Sequence, residues 1–203
     1  MRPVIVIAIG YDIQNSIPGT LERTMPENKK ILYRGKIINL YVENVTLPNG
    51  ARVEFEIVEH PGGAAIVALD EHNRVCLLRQ YRHVMQGWMW ELPAGKLDRG
   101  EPPLTTAKRE LEEEAGLRAI HWISLGKMIS SPGVFTEIVY LYLAQNLEHV
   151  PVNTETHELI EVHWIPFQGA LTMASTDEIT DAKTLAGLFR AWRKLHKKFL
   201  ASD

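Results

Sequence analysis

One stretch limits what this chain can become: Gly95 to Leu117, GKLDRGEPPLTTAKRELEEEAGL. It carries Gly95, Glu101, Arg109, Glu110, Glu113, Glu114 and Gly116 at fixed intervals. The spacing predicts one short helix over about residues 103–115. Pro102 and Pro103 suit a first turn, where a missing N–H costs no hydrogen bond, and Gly116 supplies the stop. Glu110, Glu113 and Glu114 stand at i, i+3 and i+4, so their carboxylates share a face. Leu104, Ala107, Leu111 and Ala115 form the adjoining apolar stripe that seats the helix on a core. Glu112 lies on neither face and is expected to be solvated. Arg109, one turn before Glu113, is placed to brace the carboxylates.

Like charges on adjacent turns repel, and the pair Glu110/Glu114 alone costs about 0.2–0.5 kcal/mol. A hard divalent cation with oxygen ligands, Mg²⁺ or Mn²⁺, would reverse that penalty. A Glu-rich helix by itself is an ordinary solvated face. The full spacing overturns that reading: seven fixed residue types match by chance at a given start with probability on the order of 10⁻⁸ or less.

The spacing resembles the Nudix box of the Nudix hydrolases, which runs Gly, five residues, Glu, seven residues, Arg-Glu-aliphatic, one residue, Glu-Glu, one residue, Gly-aliphatic. Every position is filled. The resemblance implies a loop–helix–loop metal site that hydrolyses a nucleoside diphosphate linked to another group. It assigns Glu110, Glu113 and Glu114 to the metal ions, pairs Glu101 with Arg109 as a brace, and gives Gly95 the tight turn into the loop.

Composition agrees with a soluble globular chain of 203 residues, 45% hydrophobic and 23% charged. A net charge of −3 argues against a nucleic-acid binder that uses a broad basic surface. The single cysteine, Cys76, sits in an apolar strand and reads as core; it excludes an internal disulfide and fits a reducing cytoplasm. The opening MRPVIVIAIG has an apolar run too short to span a bilayer and lacks a small-residue cleavage site. Residues 1–30 read as a leader, expected to lack order.

From Ile31 the pattern is β. Ile31–Arg34 and Lys36–Thr46 flank Gly35, and Pro48-Asn49-Gly50 marks a hairpin into Arg52–Glu59. Residues 31–60 thus form a small antiparallel unit that cannot bury its apolar face alone. It must pack on the main domain, residues 61–203, or on a second chain. Resemblance to the ADP-ribose pyrophosphatases within the Nudix hydrolases, which carry a swapped N-terminal sheet, implies a homodimer.

Ala64–Leu69 and Val75–Tyr81 form a hairpin, followed by Arg79-Gln80-Tyr81-Arg82, a loop, and Glu91-Leu92-Pro93-Ala94-Gly95. Both segments look like ones that precede the box in ADP-ribose pyrophosphatases. That likeness makes Arg79 and Arg82 phosphate or ribose contacts and the Ala94 carbonyl a metal ligand. Trp88 and Trp90 read as core, with base stacking as the other role open to them. Beyond the box lie strands Ile120–Met128 and Ile138–Ala144 around the turn Ser130–Gly133. Pro132, fifteen residues past Leu117, and Glu137 match subgroup positions, and Glu137 is assigned to the metals or the phosphate chain.

The polar loop Glu148–Thr156 precedes the strand Ile160–Ile165. In the family such a loop supplies a late glutamate that activates water; Glu158 is the first candidate, Glu155 the second and Glu161 the last. A short helix near Phe167–Met173 and a longer one capped by Asp181 close the chain. Leu185, Leu188, Phe189, Trp192, Leu195 and Phe199 recur at helical spacing and read as packing.

The fold expected is an α/β/α Nudix sandwich with a mixed sheet and an N-terminal antiparallel β appendage. The reaction expected from the resemblance is Mg²⁺- or Mn²⁺-assisted hydrolysis of ADP-ribose to AMP and ribose 5-phosphate. GDP-mannose or another nucleotide sugar is the alternative, and a non-catalytic nucleotide-binding regulator a more distant one. No nucleic-acid or membrane partner is expected.

Overall fold

The computed structural model describes residues 29–152 and 159–196. Three N-terminal strands, β1 (Lys29–Arg34), β2 (Asn39–Thr46) and β3 (Arg52–Glu59), pair in order as one antiparallel sheet. The first strand begins at Lys29, two residues inside the expected leader, because Lys29 and Lys30 pair with Glu43 and Val42.

The next strand, β4 (Gly63–Ala68), is buried at every residue. Its run GAAIVA lacks polar alternation because both of its faces are covered. Ala64, Ile66 and Ala68 pack in one cluster with Ala107 and Leu111; Val67 packs in another with Leu188 and Ala191. The strand is therefore the middle layer of a sandwich. It pairs in parallel with β9 (Ile138–His149) and antiparallel with β7 (Ala94–Lys96), while β8 (Leu117–Ile129) pairs with β9. This gives the mixed sheet β7-β4-β9-β8. A third sheet, β10-β5-β6, joins Ile160–Pro166, Arg74–Arg82 and Gly87–Glu91, so β4 and β5 lie in different sheets and meet at the Leu69–Val75 bridge in place of the expected hairpin.

The helix α1 (Pro103–Ala115) has the predicted bounds, with Pro103 in its first turn and Gly116 left-handed at φ 62°. Gly116 sends its N–H back to Glu112, and β8 starts at Leu117, three residues before the expected strand. Leu104 is only half-buried, and Ala107, Leu111 and Ala115 carry the packing. Glu112 is not simply solvated: its two oxygens take Arg118 Nε and Nη2 at 2.8 and 2.9 Å. On the opposite face lie α2 (Phe167–Ser175) and α3 (Ala182–Leu195). Asp181 caps α3 as expected, accepting the Thr184 N–H at 3.0 Å. Of the apolar residues expected to pack, Phe189 is 55% exposed and Leu195 40%. Leu188 packs as expected, joined by the small residues Gly187 and Ala191, because α3 lies close on β4; Phe199 lies outside the described residues.

Two further corrections concern loops. Residues Gly87–Glu91, given no strand by the sequence reading, form β6, with Trp88 opposite Tyr81 and Trp90 opposite Arg79. The strand β9 runs to His149, into the expected loop. The N-terminal sheet meets the rest of the chain through Val58, which bonds with Val134 and Thr136 at 2.9 and 3.0 Å. Leu32, Tyr33 and Ile37 remain exposed.

Candidate active site

The face of α1 that carries the carboxylates opens on a cavity of about 500 Å³, within the usual range for small-molecule sites. Glu110, Glu113 and Glu114 line it from the helix, Ala94 and Gly95 from β7, and Glu137 from just before β9. Glu110 and Glu114 are buried at 9% and 4% exposure, so a low-dielectric floor holds their charges close to the cavity.

Arg109 organises this cluster. Its Nη1 donates to Glu110 Oε1 at 2.7 Å and to Glu113 Oε2 at 3.0 Å. Its Nη2 reaches Glu101 Oε2 at 3.2 Å and the Lys96 carbonyl at 3.3 Å. Burial pushes the guanidinium down, but the three carboxylates outweigh it and hold Arg109 above its ordinary range. Glu101 stays outside the cavity lining; the Arg109 bond, reinforced by the Thr106 hydroxyl at 2.8 Å, holds its carboxyl below the usual value.

Gly95 has a different purpose from the tight turn expected of it. It is a strand residue without a left-handed φ. A Cβ there would overlap the Glu110 carboxylate. The glycine is a requirement of close approach: it lets the Glu110 side chain lie against the β7 backbone. Beside it, the Ala94 N–H donates to Glu114 Oε2 at 2.8 Å, tying the strand to the helix.

Of the other predicted residues, Arg82 lines the cavity and Arg79 does not. Successive residues of a strand point to opposite faces. Arg79 lies 5.7 Å over Trp88 and 5.9 Å over Trp90, and 3.9 Å from Glu161. Trp88 is 44% exposed, so it is not core. Glu161 sits on β10 outside the cavity. Glu137 stands 3.2 Å from His60 Nδ1. Glu155 and Glu158 lie outside the described residues.

Several cavity residues were not singled out from sequence. Glu91, 2% exposed, accepts Arg82 Nε at 2.6 Å and Nη2 at 2.8 Å, and also Lys183 Nζ. Lys183 in turn holds Asp181 at 2.9 Å. One signal was present: a lysine in the first turn of a helix opposes the helix dipole and needs a reason. Gln80 is buried at 5% and lines the cavity, and its side-chain amide has no partner among the described residues. Its signal was strand alternation with Arg82, which puts both on one face.

The donor set fits a hard divalent cation in its chemistry, being carboxylate oxygens on one helix face. Among the described residues no three acidic, His or Cys side chains are drawn together closely enough to hold an ion, because Arg109 bridges Glu110 and Glu113 instead. Glu101 and the Lys96 carbonyl are its other partners, so the carboxylates can turn to a cation without orphaning the guanidinium.

Comparison with known proteins agrees with this site. A NUDIX domain model matches residues 59–188. The ADP-ribose pyrophosphatase of Bacillus subtilis (strain 168) is 39% identical over 158 residues, covering 77% of this chain and 85% of that protein. That of Mycobacterium tuberculosis (strain ATCC 25618 / H37Rv) is 39% identical over 164 residues, 79% of each chain. A crystal structure described as an ADP compounds hydrolase superposes with a TM-score of 0.72 at 21% identity, covering 85% of this chain and 96% of the other, a likeness of fold. With the box helix, its cavity and these relatives in agreement, the chain belongs to the Nudix family of hydrolases.

Proposed function

We propose that this protein hydrolyses the diphosphate linkage of a nucleotide sugar, ADP-ribose first, releasing AMP and ribose 5-phosphate. The observation that carries the reading is the complete set of box carboxylates on a cavity that also presents Arg82 and Lys183. The relatives named for ADP-ribose supply the substrate. Glu110, Glu113 and Glu114, with the Ala94 carbonyl, are the residues to hold Mg²⁺, or Mn²⁺ in its place. Bound there, a divalent ion supplies Lewis-acid polarisation of a phosphoryl oxygen and neutralises the leaving phosphate.

The remaining work falls to the chain. Arg109 holds the carboxylates in place, Arg82 binds the phosphate chain, and Glu137 serves the metals or the phosphate chain. A water attacks phosphorus as the bond to the bridging oxygen breaks. Glu158, with Glu155 as the second candidate, takes the water's proton. Arg79 belongs to the substrate set only through the family likeness, since it stands outside this cavity.

The exposed Leu32 and Tyr33 of the N-terminal unit support its reading as a dimerisation surface, with residues 61–203 as the catalytic domain. A reducing cytoplasm suits the single cysteine, which is buried; among the described residues no helix is long and apolar enough to cross a membrane. The net charge of −3 supports a small-molecule substrate in place of nucleic acid.

The test is hydrolysis of ADP-ribose, ADP-glucose, GDP-mannose, NADH, diadenosine polyphosphates and 8-oxo-dGTP with Mg²⁺, for wild type and Glu114→Gln. Turnover led by ADP-ribose and abolished in the variant is the expected result. Turnover led by GDP-mannose refutes the adenine assignment and keeps the chemistry. Nucleotide binding without any turnover refutes the enzyme and favours the regulator.

A further inference from the structure

Three elements meet at Glu91: its own strand β6, Arg82 at the end of β5, and Lys183 in the first turn of α3. The Glu91 side chain is only 3% exposed, and both of its oxygens are occupied. Two cations, Arg82 and Lys183, are balanced by two carboxylates, Glu91 and Asp181. Such a neutral cluster is self-sufficient, and charges of this kind are weak contributors to stability compared with apolar packing. Lys183 is also placed at the end of a helix where a cation is disfavoured. Stability alone therefore explains its position poorly.

Donor inventory explains it better. A guanidinium carries five N–H groups and an ammonium three. Glu91 takes one edge of the Arg82 fork, through Nε and Nη2, leaving the outer edge without a partner among the described residues. The Arg82 side chain is 40% exposed and lines the cavity. Lys183 spends two N–H groups on Glu91 and Asp181, and one remains. It too lines the cavity. A fork held by one edge and an ammonium anchored beside it are suited to the adjacent oxygens of a diphosphate.

We infer that Lys183 is a second contact to the substrate's diphosphate beside Arg82, and that Glu91 is the positioning residue that aims both. The inference rests on the nucleotide-diphosphate reading for the ligand's identity only. Its test uses the full-length protein and Lys183→Met, which keeps the unbranched apolar stem, one atom shorter, and removes the charge. ADP-ribose kinetics and titration with ADP are both read. In Lys183→Met, KM for ADP-ribose and Kd for ADP should each rise about tenfold, as for loss of a charged hydrogen bond, with kcat changed less than about threefold. Lys183→Arg should recover most of the affinity.

Unchanged KM and Kd overturn the inference, even if the melting temperature falls, because the lysine would then only support Glu91. Wild type that cleaves ADP-ribose while Lys183→Met leaves both constants unchanged refutes this inference and spares the proposed function. Wild type that fails to cleave ADP-ribose, yet loses ADP affinity on Lys183→Met, does the reverse. Wild type with no affinity for ADP overturns the diphosphate contact outright.

Discussion

Gly95→Ala isolates the geometric claim about the box glycine. The residue lies in a strand without a left-handed φ, so alanine is accepted by the backbone and any effect comes from the added methyl. That methyl would overlap the Glu110 carboxylate, which must retreat by roughly 1.5 Å to reach ordinary van der Waals contact. The obstructing atoms are the end of a side chain, so the stability cost sits at the low end of overpacking, about 1 kcal/mol. For a chain of this size that is a fall in Tm of about 2–4 °C. Activity should suffer far more, because an ångström of misplacement at a reacting centre costs about 100-fold. The assay is kcat/KM for ADP-ribose at saturating Mg²⁺ alongside thermal unfolding. A companion variant makes the cause visible. Glu110→Asp draws the carboxylate back by one bond, so adding Gly95→Ala to it should cost no further Tm, a coupling of about 1 kcal/mol, while turnover stays low. Gly95→Ala with wild-type kcat/KM refutes the reasoning; so does a Tm loss that persists undiminished in the Glu110→Asp background.

Two further outcomes follow from buried groups. Burial alone would raise the Glu91 carboxyl, but the Arg82 bonds and the Lys183 and Arg82 charges outweigh it and hold it below its ordinary 4.5. A carboxyl lowered in the folded state contributes stability that is fully present above the unfolded value and lost as pH falls through the folded one. The urea midpoint of wild type should therefore drop more steeply below pH 4.5 than that of Glu91→Gln; parallel curves would contradict the ion network. At neutral pH Glu91→Gln should be less stable by about 1–3 kcal/mol, below the full cost of breaking a buried pair because Arg82 is partly in water. Burial, with the Glu114 charge adding to it, pushes the Cys76 thiol up to about 12. Native protein should resist thiol alkylation at pH 8 and label only after unfolding; rapid labelling in the folded state would refute a core role.

The box helix was legible because its information is local. Helix periodicity, a proline at one end and a glycine at the other place Glu110, Glu113 and Glu114 on one face whatever surrounds them. The Arg109 brace followed from the same periodicity, and Asp181 from capping chemistry. Strand β6 was missed because five residues with two tryptophans carry too short a pattern to separate strand from loop. Phe189 was misassigned because helical spacing identifies a face and cannot tell which of its residues touches a neighbour.

The sequence by itself thus determined the identity of the carboxylates, their common face and the chemistry they suit, all consequences of spacing within one helical segment. Only the tertiary structure decided what those groups meet. The approach of Glu110 to Gly95, the division of Arg82 from Arg79 by the two faces of β5, and the junction of Glu91 with Lys183 across 92 residues of chain depend on packing between elements. Such contacts arise from burial, which is non-directional and pools the whole chain, so no local pattern of residues encodes them.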